Sequence, residues 1–114
     1  TVFVALNADE ELVGFIRLLK GNNGIYHVNP VVVYPTWRRY GVGRMLMDYA
    51  LDLAGELRFV ARGTSVAFYE RLGAMPIGWE MVDMAVTENC DGCLMFDECG
   101  PVPFRMVASD EGNA

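Results

Sequence analysis

The sequence predicts a mixed α+β domain, and two observations carry that expectation. Short β-rich runs separated by turn residues fill the first 34 positions, and from position 41 the apolar spacing changes from a strand period to a helical one. A strand, a second helix and a last strand then follow. The order strand, strand, strand, helix, strand, helix, strand describes an α+β or mixed α/β sheet, without internal repeats or low-complexity segments. The 114 residues, 53% of them hydrophobic, suit one compact domain over residues 1–108 with residues 109–114 as a frayed tail.

Residues 1–6 and 12–19 are β-rich runs on either side of the polar Asn7-Ala8-Asp9-Glu10-Glu11, which reads as a hairpin with a several-residue loop. Residues 20–24 form the next turn. Residues 25–34 make a third strand dense in Val, in which Pro30 cannot donate to a ladder and implies a bulge or a locally unpaired edge. Residues 41–54 read as an amphipathic helix, with Val42, Leu46, Tyr49 and Leu53 on one face and Arg44, Asp48 and Asp52 on another. Gly55 stops it. A short strand over 57–61 follows, then a second helix capped by Thr64 or Ser65 and ended by Gly73. Residues 79–86 read as another strand. Residues 89–92 read as a turn and 93–96 as a strand, while Pro101 and Pro103 punctuate the chain before 104–108 closes the sheet.

The formal net charge of -6 opposes nonspecific binding to nucleic acid or to an anionic membrane, because the long-range field repels polyanions. Neither is expected as a partner. Yet Arg38, Arg39 and Arg44 cluster within a few residues, so a local anion site fits on an acidic protein. No apolar run reaches the roughly 20 residues of a bilayer span, and no signal-peptide pattern opens the chain, so a cytoplasmic protein is expected. The three cysteines, an odd number, make no disulfide framework and suit a reducing compartment. The first residue is Thr, which leaves open whether an initiator was removed or upstream sequence is missing.

The chemistry concentrates in Val33-Tyr34-Pro35-Thr36-Trp37-Arg38-Arg39-Tyr40-Gly41-Val42-Gly43-Arg44: a strand ending in Pro, a basic loop, and two glycines opening a helix. The first turn of a helix carries unpaired amides and the positive end of the macrodipole, so an anion docks there. Gly41 and Gly43 let the backbone approach closely, and the arginines add charge-assisted hydrogen bonds. An ordinary strand-to-helix turn with solvated arginines is the plainer reading. The string is neither a Walker loop, which needs Gly-Lys-Ser/Thr, nor a Rossmann fingerprint, which needs a third Gly.

The whole string instead resembles the pyrophosphate motif of the GNAT acyltransferases: Arg or Gln, two residues, Gly, one residue, Gly or Ala, matched here by Arg38, Gly41 and Gly43 after Val33 and Pro35. A second segment, Phe68-Tyr69-Glu70-Arg71-Leu72-Gly73-Ala74, looks like the family's Phe-Tyr-Glu-Arg-Leu-Gly-Phe helix. The resemblance covers most of residues 1–86. It implies a GNAT-like fold, a central mostly antiparallel sheet with two helices, here lacking the usual N-terminal strand and helices. It also implies acetyl-CoA as cosubstrate and an amine acceptor. By resemblance, the backbone of Val31, Val32 and Val33 holds the pantetheine and polarises the acetyl carbonyl, and Arg38, Arg39, Tyr40, Gly41, Val42, Gly43 and Arg44 take the pyrophosphate. The resemblance also implies that Phe68 and Arg62 face the coenzyme; Arg62 stands where the family often has Asn, a change that either replaces a cofactor hydrogen bond with a charge or has no effect. Pro30 is the candidate for the family's β-bulge.

The resemblance casts Tyr69 as the general acid that protonates the departing thiolate, against a plainer reading as a half-buried aromatic. It places His27, the chain's only His, at the position of the family's base. An imidazole there can take a proton from an ammonium acceptor, or it is a structural His on a strand, and the two readings weigh evenly. Cys90, Cys93 and Cys99 have the spacing of a partial zinc site, but a closed site needs four ligands and no metal is expected. The leading function is acetyl-CoA-dependent N-acetyl transfer to a primary amine of a small molecule or protein. The alternative is a non-catalytic acyl-CoA-binding or interaction module. Exposed apolar residues 3–6 need cover if no strand precedes them, which makes a homodimer an expectation.

Overall fold

The structure, a computed structural model, describes residues 1–87 and 100–108. Its elements in chain order are β1 (Val2–Leu6), β2 (Leu12–Lys20), β3 (Tyr26–Val33), α1 (Val42–Ala54), β4 (Glu56–Ala61), α2 (Ser65–Arg71), β5 (Met75–Pro76) and β6 (Val102–Val107). Short 3-10 turns lie at Pro35–Trp37 and Trp79–Met81. The six strands form one sheet in the order β1-β2-β3-β4-β6-β5. This is the α+β sheet with two helices that the sequence predicts.

Every pairing is antiparallel except that of β3 with β4, which α1 connects as a crossover. That one parallel contact is short. Tyr26 meets Leu57 and His27 meets Arg58, and beyond them the two strands part. Two local causes act on β3. Between the pairs Ile16↔Val31 and Leu18↔Val28 the register shifts, so β3 carries one residue more than β2 over the same stretch. Pro30 lies within it and has no N–H to give to a ladder, which puts the bulge where the sequence suggests one. β4 meanwhile pairs along its whole length with β6, from Glu56↔Val107 to Ala61↔Val102. β4 follows β6, and the space between β3 and β4 opens.

The core lies between the sheet and the helices. Ile16, Met47, Leu57, Phe59 and Phe104 are the largest buried apolar side chains, each contributing roughly 1.5–3 kcal/mol of burial. α1 turns Leu46, Met47 and Ala50 inward. This corrects the expected apolar face, because Tyr49 and Leu53 are more than half exposed. The reason lies in the sheet. β1 is its edge strand, so no further strand covers that flank of α1, where Phe3 and Tyr49 meet edge to face at 5.2 Å.

The strand expected over 79–86 is not formed. After the turn at Trp79–Met81 the chain's polar groups go to side chains instead of a ladder: Asp83 accepts from the amide of Ala85, and Asn29 donates to the carbonyl of Val86. The closing strand starts earlier than expected, at Val102, and the brief β5 beside it was not anticipated. The expected turn at 89–92, the strand at 93–96, the three cysteines and the tail at 109–114 lie outside the described residues. Among the described residues no helix is long and apolar enough to cross a membrane, and no cluster of His, Cys, Asp and Glu forms a metal site.

Candidate functional site

Two recesses adjoin each other along α2. The first sits at the N-terminus of α1. β3 ends at Val33, the Pro35–Trp37 turn reverses the chain, and the guanidinium Nε of Arg38 donates to the Val33 carbonyl at 3.2 Å, closing the loop on its own strand. Arg39 (φ 71°) and Gly41 (φ 79°) are both left-handed, a geometry that turns successive amides toward one side. The first intrahelical bond of α1 runs from the amide of Met45 to the carbonyl of Gly41, so the amides of Val42, Gly43 and Arg44 have no acceptor within the helix. A cavity of about 380 Å3 lies over them, lined by Val33, Trp37, Arg38, Arg39, Arg44 and Phe68 among others.

Gly43 lets the second helix come close. A Cβ added there would stand 3.3 Å from Cζ of Phe68, tighter than an ordinary side-chain contact. The packing of α2 on α1 therefore depends on the absence of a side chain at 43. Tyr40 is exposed and leans on Trp37, with ring centroids 6.0 Å apart. Arg44 lies 3.9 Å from Asp48 one turn later, and both side chains are exposed, so this pair contributes little and leaves the guanidinium easily redirected.

The second recess is the opening between β3 and β4, about 390 Å3, lined by Val28, Asn29, Pro30, Val31, Phe59, Val60, Arg62, Ser65 and Tyr69. Val31, Val32 and Val33 pair on one side with Ile16, Phe15 and Gly14 of β2, and no pairing with β4 reaches them. Their β4-facing edge can bond a bound chain instead. Tyr69 projects from α2 with its ring 4.5 Å from Phe59 and 5.0 Å from Phe68. Burial pushes its phenol up to about 12, so the hydroxyl stays protonated at neutral pH and acts as a donor.

His27 stands apart from both recesses. It is fully buried where β3 and β4 still pair, with Nδ1 2.9 Å from the Ile25 carbonyl and Nε2 accepting from the Asp83 amide at 3.0 Å. Burial, the largest influence, lowers its pKa and keeps it neutral. With both ring nitrogens engaged, no lone pair is left for an acceptor amine.

The sequence thus pointed to Val33, Arg38, Arg39, Gly41, Val42, Gly43, Arg44 and Phe68, which line the first recess, to Val31, Arg62 and Tyr69, which line the second, and to Val32, Tyr40 and the candidate base His27, which line neither. It missed Asn29, Ser65 and Arg71. Arg71 follows Phe68 by one helical turn and lines the loop recess with it, a spacing that was available. Asn29 carries no such signal, since only the bulge at Pro30 turns it toward the opening.

What the arrangement can do chemically is hold a long anionic ligand. Charged groups fit over the α1 amides and arginines, and an extended chain fits along β3, ending beside the Tyr69 hydroxyl. The acetyltransferase (GNAT) family profile matches residues 1–74. The peptidyl-lysine N-acetyltransferase YjaB of Escherichia coli strain K12 is 34% identical over 85 residues, which are 72% of this chain and 54% of that protein. Among solved structures, a Bacillus anthracis strain Ames protein, assigned as a streptothricin acetyltransferase and solved with acetyl coenzyme A, superposes with a TM-score of 0.70 at 21% identity, covering 95% of this chain and 62% of that one. A nourseothricin acetyltransferase superposes with a TM-score of 0.69 at 26% identity, covering 95% and 65%. The chain spans about half the length of its curated relative and under two thirds of these two structures.

Proposed function

The chain belongs to the GNAT acetyltransferase family, and from that premise we propose that it binds acetyl-CoA in the two adjoining recesses and transfers the acetyl group to a primary amine. The observation that carries the reading is the tandem of an arginine-lined helix N-terminus with an unpaired strand edge that leads to a protonated tyrosine. Acetyl-CoA supplies an activated thioester. A small molecule and a protein amine are both within the reading, and the E. coli relative named for peptidyl-lysine acetylation supports the amine class.

The residues divide the work. The amides of Val42, Gly43 and Arg44, with Arg38, Arg39 and Arg71, hold the diphosphate by preorganised donors and charge. The unpaired edge of Val31 to Val33 aligns the pantetheine arm, and an amide there stabilises charge on the acetyl oxygen as the amine adds. Tyr69 donates a hydrogen bond to the sulfur as the C–S bond breaks. Full transfer of its proton is disfavoured, because a phenol at about 12 facing a thiolate whose acid has a pKa near ~8.5 makes that step roughly 5 kcal/mol uphill. The proton that neutralises the thiolate comes ultimately from the attacking amine. His27 is a structural residue in this reading, and the amine reaches the site neutral or loses its proton to water.

Calorimetric titration with acetyl-CoA tests the binding. Micromolar-scale affinity that disappears in Arg38→Ala and Gly41→Asp, followed by amine-dependent thiol release, is the expected result. A folded chain that binds no acetyl-CoA sinks the reading, and binding without transfer to any amine leaves a coenzyme-binding module. A homodimer through β1 belongs to the same proposal, supported by the more than half-exposed Val2, Val4 and Leu6 on an edge strand. Sedimentation velocity of Val4→Lys against the unsubstituted chain tests it, and equal monomeric sedimentation of both removes it.

A further inference from the structure

Residues 82–87 run past the paired ends of β4 and β3, held by side-chain hydrogen bonds. Nη1 of Arg58 donates to the carbonyl of Met81 at 2.5 Å, just before the segment. The Asp83 amide donates to Nε2 of His27 at 3.0 Å, and the Asp83 carboxylate accepts from the Asn22 amide at 2.7 Å and the Ala85 amide at 2.9 Å. Asn29 then donates to the carbonyl of Val86 at 3.3 Å. Asn29 also lines the opening between β3 and β4, opposite Tyr69. The segment is therefore tied to His27 at one end and to the wall of the candidate site at the other.

The position of that tie matters. The arginine-lined recess lies at the C-terminal end of β3, beyond Val33, whereas Asn29 and Val86 lie where the two strands begin to part. A coenzyme entering past α1 and α2 presents its acyl end toward this second side. The room for the imidazole is also built in: a Cβ at Gly21 would stand 2.8 Å from Cε1 of His27.

We propose that His27 and Asp83 form a positioning clasp that fixes residues 82–87 as the acceptor-side wall of the site, so that His27 governs acceptor binding without touching the reacting atoms. The inference rests on the amine-acetylation reading above. Both bonds of the ring require one tautomer, with Nδ1–H donating to Ile25 and the Nε2 lone pair accepting from Asp83. Protonation would set an N–H against the Asp83 N–H and open the clasp. The charged groups that face the ring are the Asp83 carboxylate and Arg58, the latter paired with Glu56 at 2.8 Å. Burial lowers the pKa of His27, so the clasp stays closed at neutral pH.

The test uses the whole chain with His27→Leu, His27→Gln and Asp83→Ala, acetyl-CoA, and a short lysine peptide as acceptor. Gln keeps an acceptor oxygen near the place of Nε2, and Asp83 is partly exposed, so at least these two variants are expected to fold. The expected result is an acceptor KM raised about tenfold in Leu, which removes the acceptor of the Asp83 amide, and in Ala, which keeps that amide but removes the carboxylate's bonds to the amides of Asn22 and Ala85, with the acetyl-CoA Kd within twofold and recovery in Gln. At pH 7.5 amide hydrogen exchange within 82–87 accelerates in Leu and Ala relative to the unsubstituted chain. Unchanged exchange and unchanged KM overturn the clasp. A Gln variant that has lost turnover while its exchange stays slow also overturns it and returns His27 to the role of base. Altered exchange with no turnover by the unsubstituted chain refutes transfer to lysine and the clasp's part in binding it, and upholds only the tie of residues 82–87 to His27.

Discussion

Cα of Gly43 on α1 faces the ring edge of Phe68 on α2 so closely that a methyl group at 43 would sit 3.3 Å from Cζ. This contact seats the second helix against the first, and it sets Tyr69, the next residue, at the opening between β3 and β4. Gly43→Ala gains up to about 1 kcal/mol of helix propensity, which offsets the crowding. The melting temperature is therefore expected to stay within a few degrees, while acetyl-CoA affinity falls several-fold as Phe68 moves over the recess. Loss of stability with unchanged affinity would show that Gly43 serves packing alone.

Gly41 has a different constraint, its backbone and not its surroundings. At φ 79° nothing lies within 4 Å of an added Cβ, so the cost of a side chain is conformational. Gly41→Ala is expected to cost about 1–2 kcal/mol and Gly41→Asn distinctly less, because Asn tolerates the left-handed region. Chemical denaturation of the two variants measures the difference, and equal losses would contradict it.

The Tyr69 hydroxyl meets no hydrogen-bond partner among the described residues, and the ring packs on Phe59 and Phe104. Tyr69→Phe should leave stability unchanged or raise it by up to about 1 kcal/mol. If the hydroxyl stabilises the leaving sulfur, the same variant loses about tenfold or more in kcat with an unchanged acetyl-CoA Kd. Equal kcat in both proteins would reduce Tyr69 to a packing residue.

Phe59 touches both Tyr69 and Phe104, the latter with ring centroids 5.8 Å apart, and is 2% exposed. Phe59→Ala is expected to cost about 3–5 kcal/mol, a cavity penalty large enough to threaten folding. Phe59→Leu should fold and widen the opening, which competition with longer acyl-CoA esters would detect as a shift toward them.

Stability should fall in two stages on acidification. His27 is neutral and its pKa is lowered by burial, so the unfolded chain takes up a proton more readily. Its contribution is complete above the unfolded value near ~6.5 and is lost as pH falls through the lower folded value. Asp83 is also lowered, first by the Asn22 amide and then by that of Ala85, so its contribution persists to more acidic pH and goes as the carboxylate protonates. Urea titrations from pH 8 to pH 3 should show the first stage disappear in His27→Gln, and an unaltered profile in that variant would contradict the assignment.

Much of the site was legible because it is local. Val33 to Arg44 is one continuous strand, loop and helix start, and its chemistry depends on dihedral angles and amides that Pro35, Gly41 and Gly43 impose within a few residues. Phe68 and Tyr69 are likewise neighbours on one short helix. Pro30 announced its bulge because the missing N–H is a property of the residue itself. The sequence determined these elements through short-range sterics and hydrogen bonding. Tertiary structure alone decided the rest. Whether Tyr49 and Leu53 are buried depends on β1 being the sheet edge, and residues 79–86 leave the strand their apolar spacing suggests because His27, Arg58 and Asn29 take their polar groups. His27 lies 56 positions from Asp83 in the chain, and only the fold brings the amide to its ring, which turns a candidate base into a residue with no free lone pair.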